Sequence, residues 1–296
     1  MKRESDKSDK PRTAAPFLKW AGGKTQLLRE ILPALPAEIQ TYYEPFVGGG
    51  AVFFSLAAER RFKRAVIGDR NPALTEVYSA VRDDVGALTA VLKEHAPHAT
   101  DREYFYRTRA IDPAGLSPAE RAARMLFLNK TCFNGLWRAN SRGIFNVPFG
   151  RNRNPRVLDE DLLGAASAAL RDVEIVTADF EKIVGPAGKL DAVYFDPPYH
   201  PLSKSSSFTA YDPFPFREGE HERLARVFRE VVDRGAAALL SNSSCDFTRS
   251  LFQGLACREV LASRMINSKA DGRGQIAELL VVGTPDVVSE KHRFSG

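Results

Sequence analysis

The sequence predicts an α/β fold, with one largely parallel sheet and a helical, basic insertion at residues 96–165. Three observations predict it. Short apolar runs such as 192–195 and 236–240 read as strands buried on both faces. They alternate with amphipathic stretches of helical period, as at 220–232. Residues 121–156 break that alternation, with eight Lys or Arg and no Asp or Glu.

The chain is organised around Asp191-Ala-Val-Tyr-Phe-Asp196-Pro197-Pro198-Tyr199. Consecutive prolines supply no N–H, so they stop the strand and stiffen the backbone where the side chains of Asp196 and Tyr199 emerge. In an open α/β sheet, ligands bind outside the carboxyl ends of the strands. A carboxylate and an aromatic ring are therefore expected at a ligand crevice. The bland alternative is an ordinary proline-rich strand exit, and a short motif alone does not decide between the two.

The length of 296 residues suits one large domain or two modest ones. No uninterrupted apolar stretch is long enough to span a bilayer. Residues 1–12 are charged, lack an apolar core and read as a disordered tail, not a secretory signal; 287–296 read as a second tail. Cys132, Cys245 and Cys257 lack the paired spacing of a zinc or redox motif. No metal is expected, and a reducing cytoplasm is the natural setting. Net charge is +5, so the eight cations of the 121–156 window leave the remainder at −3 (5 − 8). An acid-free cationic block in a near-neutral chain is the footprint of a polyanion site, nucleic acid foremost. A solvated charged face is the alternative, although such faces usually mix signs.

Phe17-Leu-Lys19-Trp20-Ala-Gly22-Gly23-Lys24-Thr25 comes first in the chain. It is not a Walker A loop, because Leu18 stands where that motif needs a glycine. Paired glycines allow close backbone approach to a ligand, Trp20 offers a stacking surface, and Lys19 and Lys24 offer charge. A helix is expected from Thr25 up to Pro33. Next, a short strand runs through Glu44-Pro-Phe46-Val-Gly48-Gly-Gly50 into a helix over 51–58. Phe53 replaces the third glycine of the dinucleotide fingerprint, which argues against a pyrophosphate on the helix N-terminus. A second strand at 65–68 ends in Asp69, where this layout uses a carboxylate to accept ribose hydroxyls. Loop and acid together point to a nucleoside-containing cofactor.

Asn71-Pro72 starts the next helix, and 73–112 read as helical. Ser117-Pro-Ala-Glu120 is a capping box with proline at the first helical position, opening a helix through Asn129. From Lys130 to Arg151, aromatics, arginines and asparagines interleave around a hairpin turn at 140–143. Such a surface contacts both phosphates and base edges. Regular α/β resumes with a strand at 173–177 ending near Asp179, followed by the 192–195 strand. A Ser/Pro-rich loop at 200–214, with Phe208 and Tyr211, leads to the 220–232 helix and the 236–240 strand. A terminal antiparallel pair is expected at 259–266 and 275–282, around a basic loop at 267–274.

Four stretches carry a resemblance: Phe17-Leu-Lys-Trp-Ala-Gly-Gly-Lys24, Glu44-Pro-Phe-Val-Gly48, the block from Asn134-Gly-Leu to Phe145-Asn-Val-Pro-Phe-Gly-Arg151, and Asp196-Pro-Pro-Tyr199 with Phe208-Thr-Ala-Tyr211 after it. In this order they resemble the Dam family of DNA adenine-N6 methyltransferases, the D12 or alpha class of amino-methyltransferases. The resemblance implies a Rossmann-like methyltransferase sheet dependent on S-adenosylmethionine, formed by 13–95 and 166–286, with 96–165 as a DNA-recognition insertion. It implies methyl transfer from S-adenosylmethionine to adenine N6 in double-stranded DNA, usually within GATC. The setting implied is a bacterial or phage-type cytoplasm, with no membrane and no obligatory protein partner; a companion restriction endonuclease is left open.

The chemistry follows at the residues. An adenine amino nitrogen is a poor nucleophile, because its lone pair is delocalised into the ring. With Asp196 accepting one amino hydrogen and the Pro197 carbonyl the other, the nitrogen is drawn towards tetrahedral geometry and can attack a sulfonium methyl in line. A duplex hides the amino group, so the base must flip out and stack, on Tyr199. The resemblance implies that Trp20, Lys24, Phe46, the Gly48–Gly50 loop, Asp69, Asp179 and Asp196 line the S-adenosylmethionine pocket. Asp69 would take the ribose hydroxyls and Asp179 the adenine amino group. It implies that Lys19, Phe133, Asn134, Leu136, Arg138, Asn140 and Pro148 face the DNA bases and Arg151 a phosphate. Phe133 stands where tyrosine is commoner in the family, which removes a hydroxyl contact.

Cytosine-C5 methylation is set aside, because Thr131, Ser244 and Ala256 precede the cysteines where proline is typical. A protein glutamine methyltransferase would usually carry Asn-Pro-Pro-Tyr. Cytosine-N4 methylation shares the amino-group chemistry and stays open, as does a DNA-binding relative that has lost catalysis.

Overall fold

The computed structural model describes residues 12–140, 144–201, 216–263 and 275–285. The expected tails, Arg142 in its turn, Phe208, Tyr211 and the 267–274 loop lie outside them.

The N-terminal arm leads through a 3-10 turn at Lys24–Leu27 into the short α1 (Leu28–Ile31). A second 3-10 turn, Leu32–Ala34, follows it, so the helix expected up to Pro33 is broken into three pieces. Pro33 cannot donate to a continuing helix, and Lys24 at the start of the first turn is buried. Then come β1 (Ile39–Glu44), α2 (Ala51–Ala58), β2 (Phe62–Asp69) and α3 (Pro72–Asp83). The Asn71 side chain caps α3 by accepting from Ala73 N, with Pro72 at the first helical position. Next are α4 (Val85–His95), α5 (Arg102–Ala110) and α6 (Pro118–Thr131), the last opened by the expected Ser117–Glu120 capping box.

After the segment 132–159, α7 (Glu160–Leu170) returns the chain to β3 (Val173–Thr177), α8 (Phe180–Val184) and β4 (Ala192–Phe195). The last described elements are α9 (Glu218–Asp233), β5 (Ala237–Ser243), α10 (Asp246–Leu251), β6 (Ala256–Ser263) and β7 (Gln275–Gly283). The terminal pair is antiparallel as expected, but β6 begins at Ala256, and β5 runs on through Ser241-Asn242-Ser243.

The strands form one sheet in the order β3-β2-β1-β4-β5-β7-β6. All neighbours are parallel except β5–β7 and β7–β6. From β1 the chain moves outward through β2 and β3, and from β4 it moves the other way. The β1–β4 boundary is therefore the topological switch point, where the carboxyl ends of an open sheet leave a crevice. One face of the sheet buries Tyr42, Tyr194, Leu239 and Leu280 against α2, α3 and their neighbours. The other buries Tyr43, Val193, Phe195 and Leu240 against α8 and α9, whose Leu224, Val227, Phe228 and Val231 form its apolar stripe. Phe105, Phe127, Phe145 and Val147 of the interrupting segment join the first core, so that segment is anchored to the sheet by shared packing. No helix among the described residues is long and apolar enough to cross a membrane.

Candidate active site

Side chains of a strand alternate between faces, and paired residues of adjacent strands share a face. The register pairs Tyr42 with Ala192, Tyr194 with Leu239, Ser241 with Leu280 and Ser243 with Glu278. Glu44, Tyr194, Ser241 and Glu278 therefore share one face, at the edge where β1, β4 and β5 end and the antiparallel β7 begins. Asp196 follows Tyr194 at the same spacing. Four strands thus deliver a cluster of acids and hydroxyls beside the switch-point crevice.

Asp196 is the centre of that cluster. Its Oδ1 lies 2.7 Å from Lys24 Nζ and accepts from Ser241 Oγ at 3.0 Å. Ser241 Oγ is in turn 2.8 Å from the Tyr194 hydroxyl. Burial pushes the Asp196 carboxyl up, and the Lys24 ammonium opposes that rise. Lys24 Nζ also donates to the Gly22 carbonyl at 2.6 Å and stands 4.7 Å from the centroid of the Tyr199 ring. The Tyr199 hydroxyl donates to Glu278 Oε2 at 2.6 Å. Behind these groups Glu44 is buried and accepts from the Tyr42 hydroxyl at 2.8 Å. Burial raises its pKa to about 8, which Tyr42 moderates and the nearby Asp196 charge reinforces.

The glycine loop after β1 packs against the N-terminal arm and α3. Gly48 and Gly50 have φ of 48° and 71°. A Cβ at Gly48 would stand 2.8 Å from Trp20 Cδ1, and one at Gly50 would stand 2.7 Å from the Tyr78 hydroxyl. These glycines therefore let Trp20 and Tyr78 pack on the loop, and Tyr78 donates to the Gly48 carbonyl at 3.0 Å. Phe46 packs against Phe180 and Phe216. Asp69 ends β2, and its Oδ1 accepts from Asn71 N at 2.9 Å. Asp179 caps α8 through Glu181 N. It meets Arg223 bidentately, with N–O distances of 2.7 and 2.8 Å, which holds its carboxyl below the usual range. Aromatic rings and the carboxylates of Asp69, Asp179 and Asp196 at strand ends make a set of stacking faces and acceptors that fits a cationic, hydroxyl-bearing nucleoside.

A second group of residues forms a surface next to the crevice. Buried Asn129 accepts from Lys19 N and donates to the carbonyls of Lys19 and Gly135, which ties the N-terminal arm to the turn at 133–135. Asn134 there has a φ of 55°, a left-handed conformation that asparagine tolerates. Phe133 N donates to the Pro148 carbonyl, and Arg138 Nε donates to Asn146 Oδ1 at 2.8 Å. Ala139 bridges Phe145, and Asn140 N donates to the Ile144 carbonyl, so backbone pairing flanks the expected hairpin turn. Lys19, Phe133, Asn134, Arg138, Pro148 and Arg151 are exposed, while Leu136 and Asn140 are half-buried.

The acid-free window is not one uniform cationic face. Arg124 is buried and donates to the carbonyls of Thr108 and Arg109 at the end of α5. Arg121 is held by Glu76 and the Leu116 carbonyl. Arg156 pairs with Asp159. Counting charges along the chain does not register that helix packing takes some of them for structure. Sequence reasoning also passed over Ser241 and Glu278. Their signal was a polar residue at an inward position of an apolar strand.

Comparison with known proteins fits this arrangement. The model of the D12 class N6 adenine-specific DNA methyltransferases matches residues 20–266. The type II methyltransferase M.MjaIII of Methanocaldococcus jannaschii is 42% identical over 283 residues, which cover 90% of this chain and 98% of the relative. The type II methyltransferase M1.LlaDCHI of Lactococcus lactis subsp. cremoris is 39% identical over 272 residues, 90% of this chain and 94% of the relative. A DNA adenine methylase of Escherichia coli K12 is 34% identical over 274 residues, 92% of this chain and 96% of the relative. The family match takes in Asp196, Tyr199 and the 133–151 surface beside them, and the chain belongs to the D12 class of N6 adenine-specific DNA methyltransferases.

Proposed function

We propose that this protein methylates adenine N6 in double-stranded DNA by flipping the target base onto Tyr199, with GATC as the first target sequence to test. The observation that carries the reading is the cluster at the end of β4. There Asp196, kept next to a buried ammonium, stands beside an anchored tyrosine ring at the switch-point crevice. S-adenosylmethionine supplies an electrophilic methyl group when bound. Trp20, Lys24, Phe46, the Gly48–Gly50 loop, Asp69, Asp179 and Asp196 would hold it, with Asp69 towards the ribose. Arg223 engages both oxygens of Asp179, yet a carboxylate has further lone pairs for an adenine amino group.

In this reading Asp196 accepts one hydrogen of the target amino group and the Pro197 carbonyl accepts the other. Both acceptors pull the nitrogen lone pair out of conjugation. Lys24 opposes the rise that burial imposes on Asp196, which favours the ionised form that accepts and does not donate. The Tyr199 ring replaces the stacking that the base loses on leaving the duplex. Lys19, Phe133, Asn134, Leu136, Arg138, Asn140 and Pro148 would meet the base edges, and Arg151 a phosphate; segment 96–165 thus serves recognition. Cytosine-N4 methylation shares the amino-group chemistry and is the second reading. Sequencing DNA modified by the purified protein tests both. N6-methyladenine at one recurring sequence supports the proposal, and N4-methylcytosine overturns it.

A further inference from the structure

Glu278 is the one acidic residue of β7, an otherwise largely apolar strand. It shares its face with Leu280, which is fully buried, and with Val282, which packs on the same core. A carboxyl group at such a position is costly to desolvate and is retained only with a good partner. That partner is the Tyr199 hydroxyl, at 2.6 Å. Burial pushes the Glu278 carboxyl up, and Lys24 and Tyr199 moderate the rise. Tyr199 is thus held at two points on its ring. Glu278 holds the hydroxyl, and the Lys24 ammonium stands over the ring at 4.7 Å from its centroid. Two consecutive prolines limit the backbone leading to it. A hydrogen bond at the far end of the ring restrains its swing, and through the preference of the phenolic O–H for the ring plane it also restrains the tilt.

We infer that Glu278 is a positioning residue for the stacking ring: it fixes the Tyr199 hydroxyl so that the ring presents a set face to the extruded base. This inference rests on the assignment of Tyr199 as the stacking surface. Glu278 touches neither the base nor the methyl donor in this scheme, and it acts through Tyr199 alone. A base held on a loose ring would visit the reactive geometry less often, and small misplacements of reacting groups cost large factors in rate.

A double-mutant cycle on the full-length protein tests this. The measurements are the single-turnover rate of methyl transfer to duplex DNA and the fluorescence of 2-aminopurine at the target position. Glu278→Ala should slow methyl transfer about tenfold or more. The same change in the Tyr199→Phe background should add less than about a twofold loss, because the hydroxyl through which Glu278 acts is already gone. Glu278→Gln keeps an acceptor and should stay within about threefold of wild type. Equal losses on removing Glu278 in both backgrounds, or no loss in either, would overturn the inference. If Glu278→Ala lowers the unfolding temperature too far to assay, Glu278→Met, which fills the space but also removes the acceptor, is compared in the two backgrounds by the same criterion. Tyr199→Ala separates the underlying assignment. It should brighten bound 2-aminopurine by removing a quenching stack, and Glu278→Ala should brighten it by less. A Tyr199→Ala protein with unchanged fluorescence and unchanged rate would sink the stacking assignment itself. Brightening by Tyr199→Ala with no coupling in the cycle would sink only the role of Glu278.

Discussion

Lys24 Nζ sits 2.7 Å from Asp196 Oδ1, joining the N-terminal arm to the exit of β4. The Lys24 side chain is 6% exposed, so solvent screens the pair little. Without its cation, the rise that burial imposes on the Asp196 carboxyl would be opposed only by the Ser241 hydroxyl. An acceptor role requires the ionised form. Lys24→Met should therefore move the acidic limb of the rate–pH profile for methyl transfer to higher pH. It should slow the reaction at neutral pH and recover part of the rate in alkali. An acidic limb at its wild-type position would show that Lys24 does not set the charge of Asp196.

Glu44 gives a stability test. Its folded-state pKa of about 8 lies above the ordinary carboxylate value, so the folded protein binds this proton more tightly than the unfolded chain does. The contribution is fully present below the unfolded pKa near 4.3 and is lost as pH rises through the folded value, at up to about 1.4 kcal/mol per unit. Glu44→Gln removes the titration. The unfolding free energy of the variant should gain on that of wild type steadily between pH 5 and pH 8, as measured by denaturant titration. A difference that does not change with pH would show that Glu44 titrates normally.

Arg138 is exposed on the surface proposed here to meet DNA, and Asn146 orients it. Arg138→Ala should relax discrimination at one guanine of the site by about 1–3 kcal/mol, leaving the other positions alone. Competition between single-base variants of the target duplex measures this. Unchanged discrimination at every position would remove Arg138 from the reading set.

Arg124 and Arg151 lie in the same acid-free window and should behave oppositely. Arg124→Leu strips two carbonyls at the end of α5 of their donor. It should destabilise the fold by about 2–4 kcal/mol without changing the salt dependence of DNA binding. Arg151→Ala should leave stability within about 0.5 kcal/mol and lower the salt slope by about one. Thermal unfolding and binding isotherms over a range of salt concentrations separate the two.

These contrasts show how far the sequence could be read. The parallel sheet, the glycine turn and the rigid exit at Asp196–Tyr199 were legible because each rests on local chemistry: period, turn residues and proline. The polar edge of β5 and Glu278 on β7 needed strand register, since only pairing puts Ser241 and Glu278 on the face of Asp196. The Lys24–Asp196 pair needed the arm to cross the end of the sheet, which no spacing encodes. Arg124 was misread as part of a surface because its charge is visible in sequence while its burial arises from the packing of α5 on α6. The engagement of Asp179 by Arg223 on α9 was hidden for the same reason.

The most direct measurement compares wild type with Asp196→Ala, following transfer of a labelled methyl group from S-adenosylmethionine to duplex DNA and identifying the methylated nucleoside by mass spectrometry. Wild type should yield N6-methyladenine. The variant should yield none while binding the same duplex with nearly unchanged affinity. Turnover by Asp196→Ala at the wild-type rate, or a product other than N6-methyladenine from wild type, would contradict the assignment of Asp196 as the acceptor that activates the adenine amino group.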